Sequence, residues 1–214
     1  MPDKGNKGDL NIMNIAVFVS GNGTNLQALI DAAAGGSLAG GKITLVVSDN
    51  PEAFALRRAE KAGIKTFVPE AGQSRSRDEY DRVILQRLEE EKIELVVLAG
   101  FMRIFSESFI GEYKDRILNI HPALLPSFKG THGIQDAFEY GVKVTGVTVH
   151  FVENELDAGP VILQSCVRIE ADDTLDTLEE KIHAEEHKLY PEAVRLFVRG
   201  KLKIEGRKVK ILEQ

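Results

Sequence analysis

Asn14-Ile15-Ala16-Val17-Phe18-Val19-Ser20-Gly21-Asn22-Gly23-Thr24-Asn25-Leu26 is the stretch on which the reading of the fold turns. Its first half is apolar without alternation, as a strand covered on both faces is, and that places it inside a parallel sheet. Gly21 and Gly23 end the run. From Thr24 to Ala34 the spacing of Leu26, Leu29 and Ile30 is helical. A buried strand, a glycine turn and a helix in immediate succession open a βαβ unit.

The same alternation continues outward. Strands are expected at Lys42 to Ser48, Ile64 to Val68, Glu94 to Ala99 and Ile117 to Ile120. Helices are expected at Glu52 to Ala62, Asp78 to Lys92 and Ser106 to Tyr113, with Asn50-Pro51, Gly63 and Gly100 as breaks. After Pro126 the rhythm changes. Val144 to Val152 and Val161 to Ile169 are β-rich and joined through Asn154 to Pro160, so they read as antiparallel or mixed additions. Asp173 to Arg199 reads as a helix, with Asp172, Asp173 or Thr174 as cap and Leu178, Ile182, Leu189 and Val194 facing inward. Leu202 to Leu212 reads as a hairpin around Glu205-Gly206. The expectation is an α/β fold: one doubly wound, mostly parallel sheet, helices on both faces, and a late antiparallel or mixed addition. It forms one domain over residues 13–214, and Met1 to Ile12, polar and rich in Gly, Lys and Asp, reads as a flexible extension.

The chain has 214 residues, 43% hydrophobic and 28% charged, the balance of a soluble globular protein. No apolar run reaches the ~18 residues of a membrane span. The net charge of −6 disfavours a dedicated nucleic-acid binder while leaving room for a local phosphate pocket. The lone Cys166 has no internal disulfide partner, which fits a cytoplasmic location, and its alternating strand makes it a packing residue. No Cys/His spacing has the form of a zinc site.

Three segments carry chemistry. The loop Ser20 to Asn25 enters a helix whose N-terminus offers free N–H groups and about half a positive charge, so Gly23, Thr24 and Asn25 form a candidate phosphate cradle. The pattern is neither GxGxxG nor a Walker A loop, and an ordinary βα turn looks the same. Asn119 and His121 lie two apart at a strand end and aim at one crevice; Pro122 stops the ladder. Asp157 sits in Leu156-Asp157-Ala158-Gly159-Pro160, a loop that also suits plain turn chemistry. Amide, imidazole and carboxylate together suit acyl transfer between amines, with Asn119 and His121 facing a developing oxyanion and Asp157 holding the imidazolium.

These segments, with Leu98-Ala-Gly-Phe-Met-Arg-Ile104, Asn119-Ile-His-Pro-Ala-Leu-Leu-Pro126 and Glu155-Leu-Asp-Ala-Gly-Pro-Val-Ile-Leu-Gln164, resemble the glycinamide ribonucleotide formyltransferases from about Asn14 to Arg199. The resemblance implies a formyltransferase fold and transfer of formyl from 10-formyltetrahydrofolate, the co-substrate, to the ribonucleotide amine in purine synthesis. It implies no metal, small-molecule partners and often a homodimer. It makes Asn119, His121 and Asp157 the catalytic trio and gives the phosphate to Gly23, Thr24 and Asn25. His183, Ala184, Glu185 and Glu186 match a second ribonucleotide segment. Arg77, Met102, Arg103, Ile104, Phe105 and Asn119 match folate positions, as does the loop with Glu153, Asn154, Glu155, Leu156 and Asp157. For Met102 to Phe105, core packing is the competing account. His132 receives no role, His150 faces either crevice or core, and His187 is helix surface or packing. Methionyl-tRNA formyltransferase and formyltetrahydrofolate deformylase share the trio but carry further domains, and a phosphometabolite-binding protein would not need it.

Overall fold

The structure is a computed structural model that describes residues 12–70 and 76–213. All of the expected N-terminal extension except the exposed Ile12 lies outside the described residues.

In chain order the elements are β1 (Met13–Val19), α1 (Thr24–Ala34), β2 (Gly41–Ser48), α2 (Phe54–Lys61), β3 (Lys65–Phe67), α3 (Arg77–Glu90), β4 (Leu95–Leu98), α4 (Glu107–Glu112) and β5 (Ile117–His121). There follow α5 (Gly133–Tyr140), β6 (Val144–Phe151), β7 (Val161–Arg168), α6 (Leu175–Val198), β8 (Leu202–Glu205) and β9 (Lys208–Ile211). The strands form a single sheet in the order β3-β2-β1-β4-β5-β6-β7-β9-β8. From β3 to β5 all pairs are parallel, and β6 joins β5 and β7 antiparallel. This is the expected doubly wound sheet with its late addition.

Alternation along β1 explains why it is apolar throughout. Ile15, Val17 and Val19 pack into one core with Leu26 and Leu29 of α1 and Leu178, Ile182 and Val194 of α6. Ala16 and Phe18 pack into the opposite core with Tyr80, Ile84 and Leu88 of α3 and Phe109 of α4. Each fully buried side chain of this size contributes about 1.5–3 kcal/mol. Strand order reverses between β1 and β4, which opens a crevice at their carboxyl ends, where such sheets bind ligands.

Helix starts follow local chemistry. Ser76 caps α3 in a reciprocal box with Glu79, Ser106 caps α4 by accepting from Phe109 N, and Thr174 caps α6 in a box with Thr177. Of the three candidate caps before α6, Thr174 takes the position, while Asp173 pairs with Lys181. One element, α5, has no counterpart in the sequence reading. It starts at a glycine, lacks a side-chain cap and has only 8 residues. Its signal is the spacing of Ile134, Ala137 and Phe138 before the left-handed Gly141: Ile134 and Phe138 pack against the first core and Ala137 is buried. Cys166 also departs from expectation: it is exposed. The neighbouring Ser165 meets Glu185 of α6, so Cys166 points to the opposite face of β7.

Candidate active site

A cleft of about 590 Å³ lies at the carboxyl ends of β1, β4 and β5. It is bounded by the β1–α1 loop, residues 99–102 after β4, residues 119–122 at the end of β5, and Asp157 with its neighbour Leu156. Helix α6 contributes His183 and Glu186. The buried Tyr190 hydroxyl, one turn beyond Glu186, reaches the carbonyls of Leu98 at 2.7 Å and Leu118 at 3.0 Å. That pins α6 to the ends of β4 and β5 and fixes where Glu186 meets the cleft.

Asn119 and His121 both line the cleft, as two-residue spacing in a strand requires. His121 is only 3% exposed. Its Nε2 lies 2.7 Å from the Phe128 carbonyl, which can only accept, so Nε2 carries a proton. Its Nδ1 lies 3.6 Å from Asp157 Oδ2. Both ring nitrogens thus face oxygen, and a protonated ring would be an ion-pair partner for the carboxylate. The loop after His121 is fastened from β6 and β7. Thr148 donates to Ala123 O at 2.7 Å and accepts from Leu125 N at 3.1 Å, and Gln164 donates to Leu125 O at 3.0 Å.

Asp157 reaches the same spot because its loop is folded tightly onto β6. Phe151 N donates to Pro160 O at 2.9 Å, and a Cβ at Gly159 would lie 1.9 Å from the Phe151 carbonyl oxygen, so only glycine fits there. Asp157 itself takes a left-handed φ of 51°, a conformation aspartate tolerates better than most residues. Its Oδ2 accepts from Gly130 N at 2.8 Å. Burial alone would raise its pKa, but the His150 ring, the Gly130 N–H and the nearby His121 outweigh that and hold the carboxyl below its ordinary value.

His150, which the sequence leaves between crevice and core, is buried beside the candidate site. It pairs directly with Asn119 across β5 and β6, next to a register shift after Val149. Its Nδ1 faces the Phe151 carbonyl at 2.8 Å and so carries a proton, while Nε2 lies 3.2 Å from Asn119 Nδ2, from which it accepts when the ring is neutral. That Nε2 is also 3.7 Å from Asp157 Oδ1. Asn119, His121, His150 and Asp157 therefore form one cluster. The signal that finds His150 is the antiparallel register of β6 on β5, which periodicity along the chain does not contain.

On the opposite side, Gly23, Thr24 and Asn25 line the cleft. Asn25 Nδ2 donates to Glu186 Oε2 at 2.9 Å, and Asn25 Oδ1 is buried without a partner. His183 Nδ1 lies 3.0 Å from the same Glu186 oxygen, which raises the His183 pKa. Glu186 is 4% exposed, an unusual burial for a carboxylate outside a site. Of the four expected α6 residues, His183 and Glu186, three apart, face the cleft. Ala184 is exposed outside the lining, and Glu185 turns to Ser165 and Lys188.

The residues matched to folate are divided. Met102 and Leu156 line the cleft as exposed apolar side chains. Met102 N donates to Ser20 Oγ at 2.9 Å, and that hydroxyl donates to Asp49 at 2.6 Å. Ile104 is exposed outside the lining, and Arg103 lies over the Tyr80 ring at 4.0 Å. Phe105 is core, stacked on Phe109 at 4.0 Å and edge-on to Phe18. Arg77 opens α3 as an exposed residue; Glu153 and Asn154 are exposed, and Glu155 pairs with Lys129 at 3.0 Å. These lie outside the cleft lining.

An open α/β sheet that gathers an amide, two imidazoles and a carboxylate beside the carboxyl end of β5, across a cleft from a glycine loop, has the form of a group-transfer enzyme. The family model described as formyl transferase matches residues 13–194, and the chain belongs to that family. Its relatives include phosphoribosylglycinamide formyltransferase of Escherichia coli (strain K12), 44% identical over 192 residues covering 90% of each chain. The protein of the same name from Bacillus subtilis (strain 168) is 38% identical, over 84% of this chain and 92% of its own. The trifunctional purine biosynthetic protein adenosine-3 of Gallus gallus is 45% identical over 91% of this chain, which spans only 19% of that relative. Among solved structures, glycinamide ribonucleotide transformylase 1 from Symbiobacterium toebii superposes with a TM-score of 0.91 at 44% identity, covering 94% of this chain and 95% of its own. No helix of the described residues is long and apolar enough to cross a membrane.

Proposed function

We propose that this chain transfers the formyl group of 10-formyltetrahydrofolate to the amine of glycinamide ribonucleotide, a step of purine synthesis. Residues 13–214 act as the catalytic domain, with residues 1–12 as an extension to it. The observation that carries this reading is that Asn119, His121 and Asp157 share one cleft with the Gly23–Asn25 loop and the buried Glu186. The relatives named for the same transfer, with most of both chains matched, support it.

In this reading the phosphate sits on the N–H groups at the start of α1, where Gly23 caps the helix without a side-chain bond and leaves them open. Glu186 and Asn25 hold the ribose, with the unpartnered Asn25 Oδ1 taking a hydroxyl. Folate enters between Met102 and Leu156. The amine attacks the formyl carbon, a carbon–nitrogen bond forms, and the carbonyl oxygen becomes negative. The Asn119 amide and the His121 imidazolium stabilise that oxyanion. Asp157 keeps the imidazolium in place and helps carry the proton from the attacking nitrogen to the departing folate nitrogen. The carbon–nitrogen bond to folate then breaks.

The test is direct. Purified protein mixed with glycinamide ribonucleotide and 10-formyl-5,8-dideazafolate gives a change in absorbance and a ribonucleotide product heavier by one formyl group. Release of formate with no formylated ribonucleotide would instead make the protein a deformylase and overturn the reading.

A further inference from the structure

The loop assigned above to the ribonucleotide phosphate is held from outside the cleft by a side chain that no motif singled out. Arg58, in α2, donates from Nε to the backbone oxygen of Asn22 at 2.9 Å. One terminal nitrogen donates to Asn22 Oδ1 at 3.0 Å, and the other to Gln27 Oε1 in α1 at 3.2 Å. The guanidinium lies 5.0 Å from the centre of the Phe54 ring, one turn earlier in α2. It is partly buried and is not part of the cleft lining, whereas Asn22 is.

The approach of α2 to this loop is close along its length. Ala55 N donates to Gly21 O at 3.1 Å, and a Cβ at Gly23 would lie 2.6 Å from Ala55 Cβ. Gly23 also holds a left-handed φ of 74°. The loop is thus pressed against α2, and Arg58 fastens both its tip and the first turn of α1. Among the described residues lining the cleft there is no lysine or arginine. A phosphate dianion there faces backbone N–H groups and a helix N-terminus, and the guanidinium stands directly behind them.

We propose that Arg58 is a positioning residue for the phosphate loop: its three bonds hold the Gly21–Gly23 backbone and the start of α1 in the shape that aims their N–H groups at the phosphate. Its positive charge adds to the potential of the same loop from behind. The planar fork matters, because a lysine ammonium cannot span Asn22 O, Asn22 Oδ1 and Gln27 Oε1 with one fixed geometry. The inference rests on the reading of residues 20–25 as the phosphate loop.

The experiment compares wild type, Arg58→Met and Arg58→Lys on three readouts. With glycinamide ribonucleotide, Arg58→Met raises KM for that substrate roughly tenfold or more, as loss of charge-assisted hydrogen bonds does. The folate KM stays within twofold, and Arg58→Lys falls between. With the dephosphorylated ribonucleoside as acceptor, Arg58→Met and wild type react at the same rate, because there is no phosphate for the loop to hold. Inorganic phosphate raises the melting temperature of wild type and not of Arg58→Met. An unchanged ribonucleotide KM in Arg58→Met, or an equal loss on the ribonucleoside, overturns the inference and leaves the proposed function standing. If wild type neither formylates the ribonucleotide nor is stabilised by phosphate, the reading of the loop falls and the inference with it. Should Arg58→Met fail to fold, the same comparisons with Arg58→Lys decide.

Discussion

Asp157→Asn removes one negative charge and leaves the shape of the side chain. The carboxylate lies 3.6 Å from His121 Nδ1 and 3.7 Å from His150 Nε2. Opposite charges at such a distance attract by about 4–5 kcal/mol at an effective dielectric constant near 20. Part of that attraction exists before the reaction starts, so the share lost at the transition state is about 2–4 kcal/mol, a fall in kcat of roughly 30- to 1,000-fold. The fold loses little, because the amide oxygen can still accept from Gly130 N; the expected cost is within about 1 kcal/mol at neutral pH. Initial rates with 10-formyl-5,8-dideazafolate, both KM values and a thermal melt separate the two effects. The pH dependence gives an internal check. The Asp157 pKa is lowered from 3.8 in the folded protein, so its contribution to stability is present above that value and is lost as pH falls through the depressed one. The stability gap between wild type and Asp157→Asn therefore stays level above about pH 5 and closes in acid. A variant that melts like wild type and turns over within threefold of it would refute the role given to the carboxylate.

Asn25→Leu, which removes the bond to Glu186 and the unpartnered Oδ1, raises the ribonucleotide KM at least tenfold and leaves the folate KM nearly unchanged; equal rises in both, read by steady-state kinetics, would count against the division of the cleft. Tyr190→Phe removes the one O–H donor that the buried Leu98 and Leu118 carbonyls share, and chemical denaturation should show a loss of about 1–3 kcal/mol; no loss would mean that α6 is not pinned there. His183→Gln tests the pair with Glu186. The His183 pKa is raised first by the Glu186 hydrogen bond, against burial, with the charges of Glu186 and Glu179 adding to the rise. The pair's contribution is therefore full below about pH 6.5 and is lost as pH rises through the raised value. Because His183 is partly exposed, the wild-type advantage over the variant is under about 1 kcal/mol at pH 6 and vanishes by pH 9 in paired melts; an advantage that grows with pH would reverse the assignment.

Much of this protein is legible without coordinates, because its decisive signals are local. The unbroken apolar run in β1, the glycine turn after it and the Leu26/Leu29/Ile30 stripe each follow from short-range backbone chemistry, and together they allow only a parallel sheet with the cleft at its strand ends. Asn119 and His121 share a direction because strands have a period of two, and His183 and Glu186 share one because helices bring residues three apart together. Helix α5 is not legible, because 8 residues opened by Gly133 carry too little periodic signal. The exposure of Cys166 is not legible, because alternation says that two faces differ but not which one a helix covers. The meeting of Asp157 with His121, the seating of His150 between Asn119 and Asp157, and the clasp of Arg58 on Asn22 join segments far apart in the chain. They depend on the antiparallel register of β6 on β5, on the Gly159 turn against Phe151 and on the pressing of α2 against the β1–α1 loop. Those are outcomes of packing among distant elements, so the chain's local patterns could nominate the residues but only the assembled sheet could set their distances.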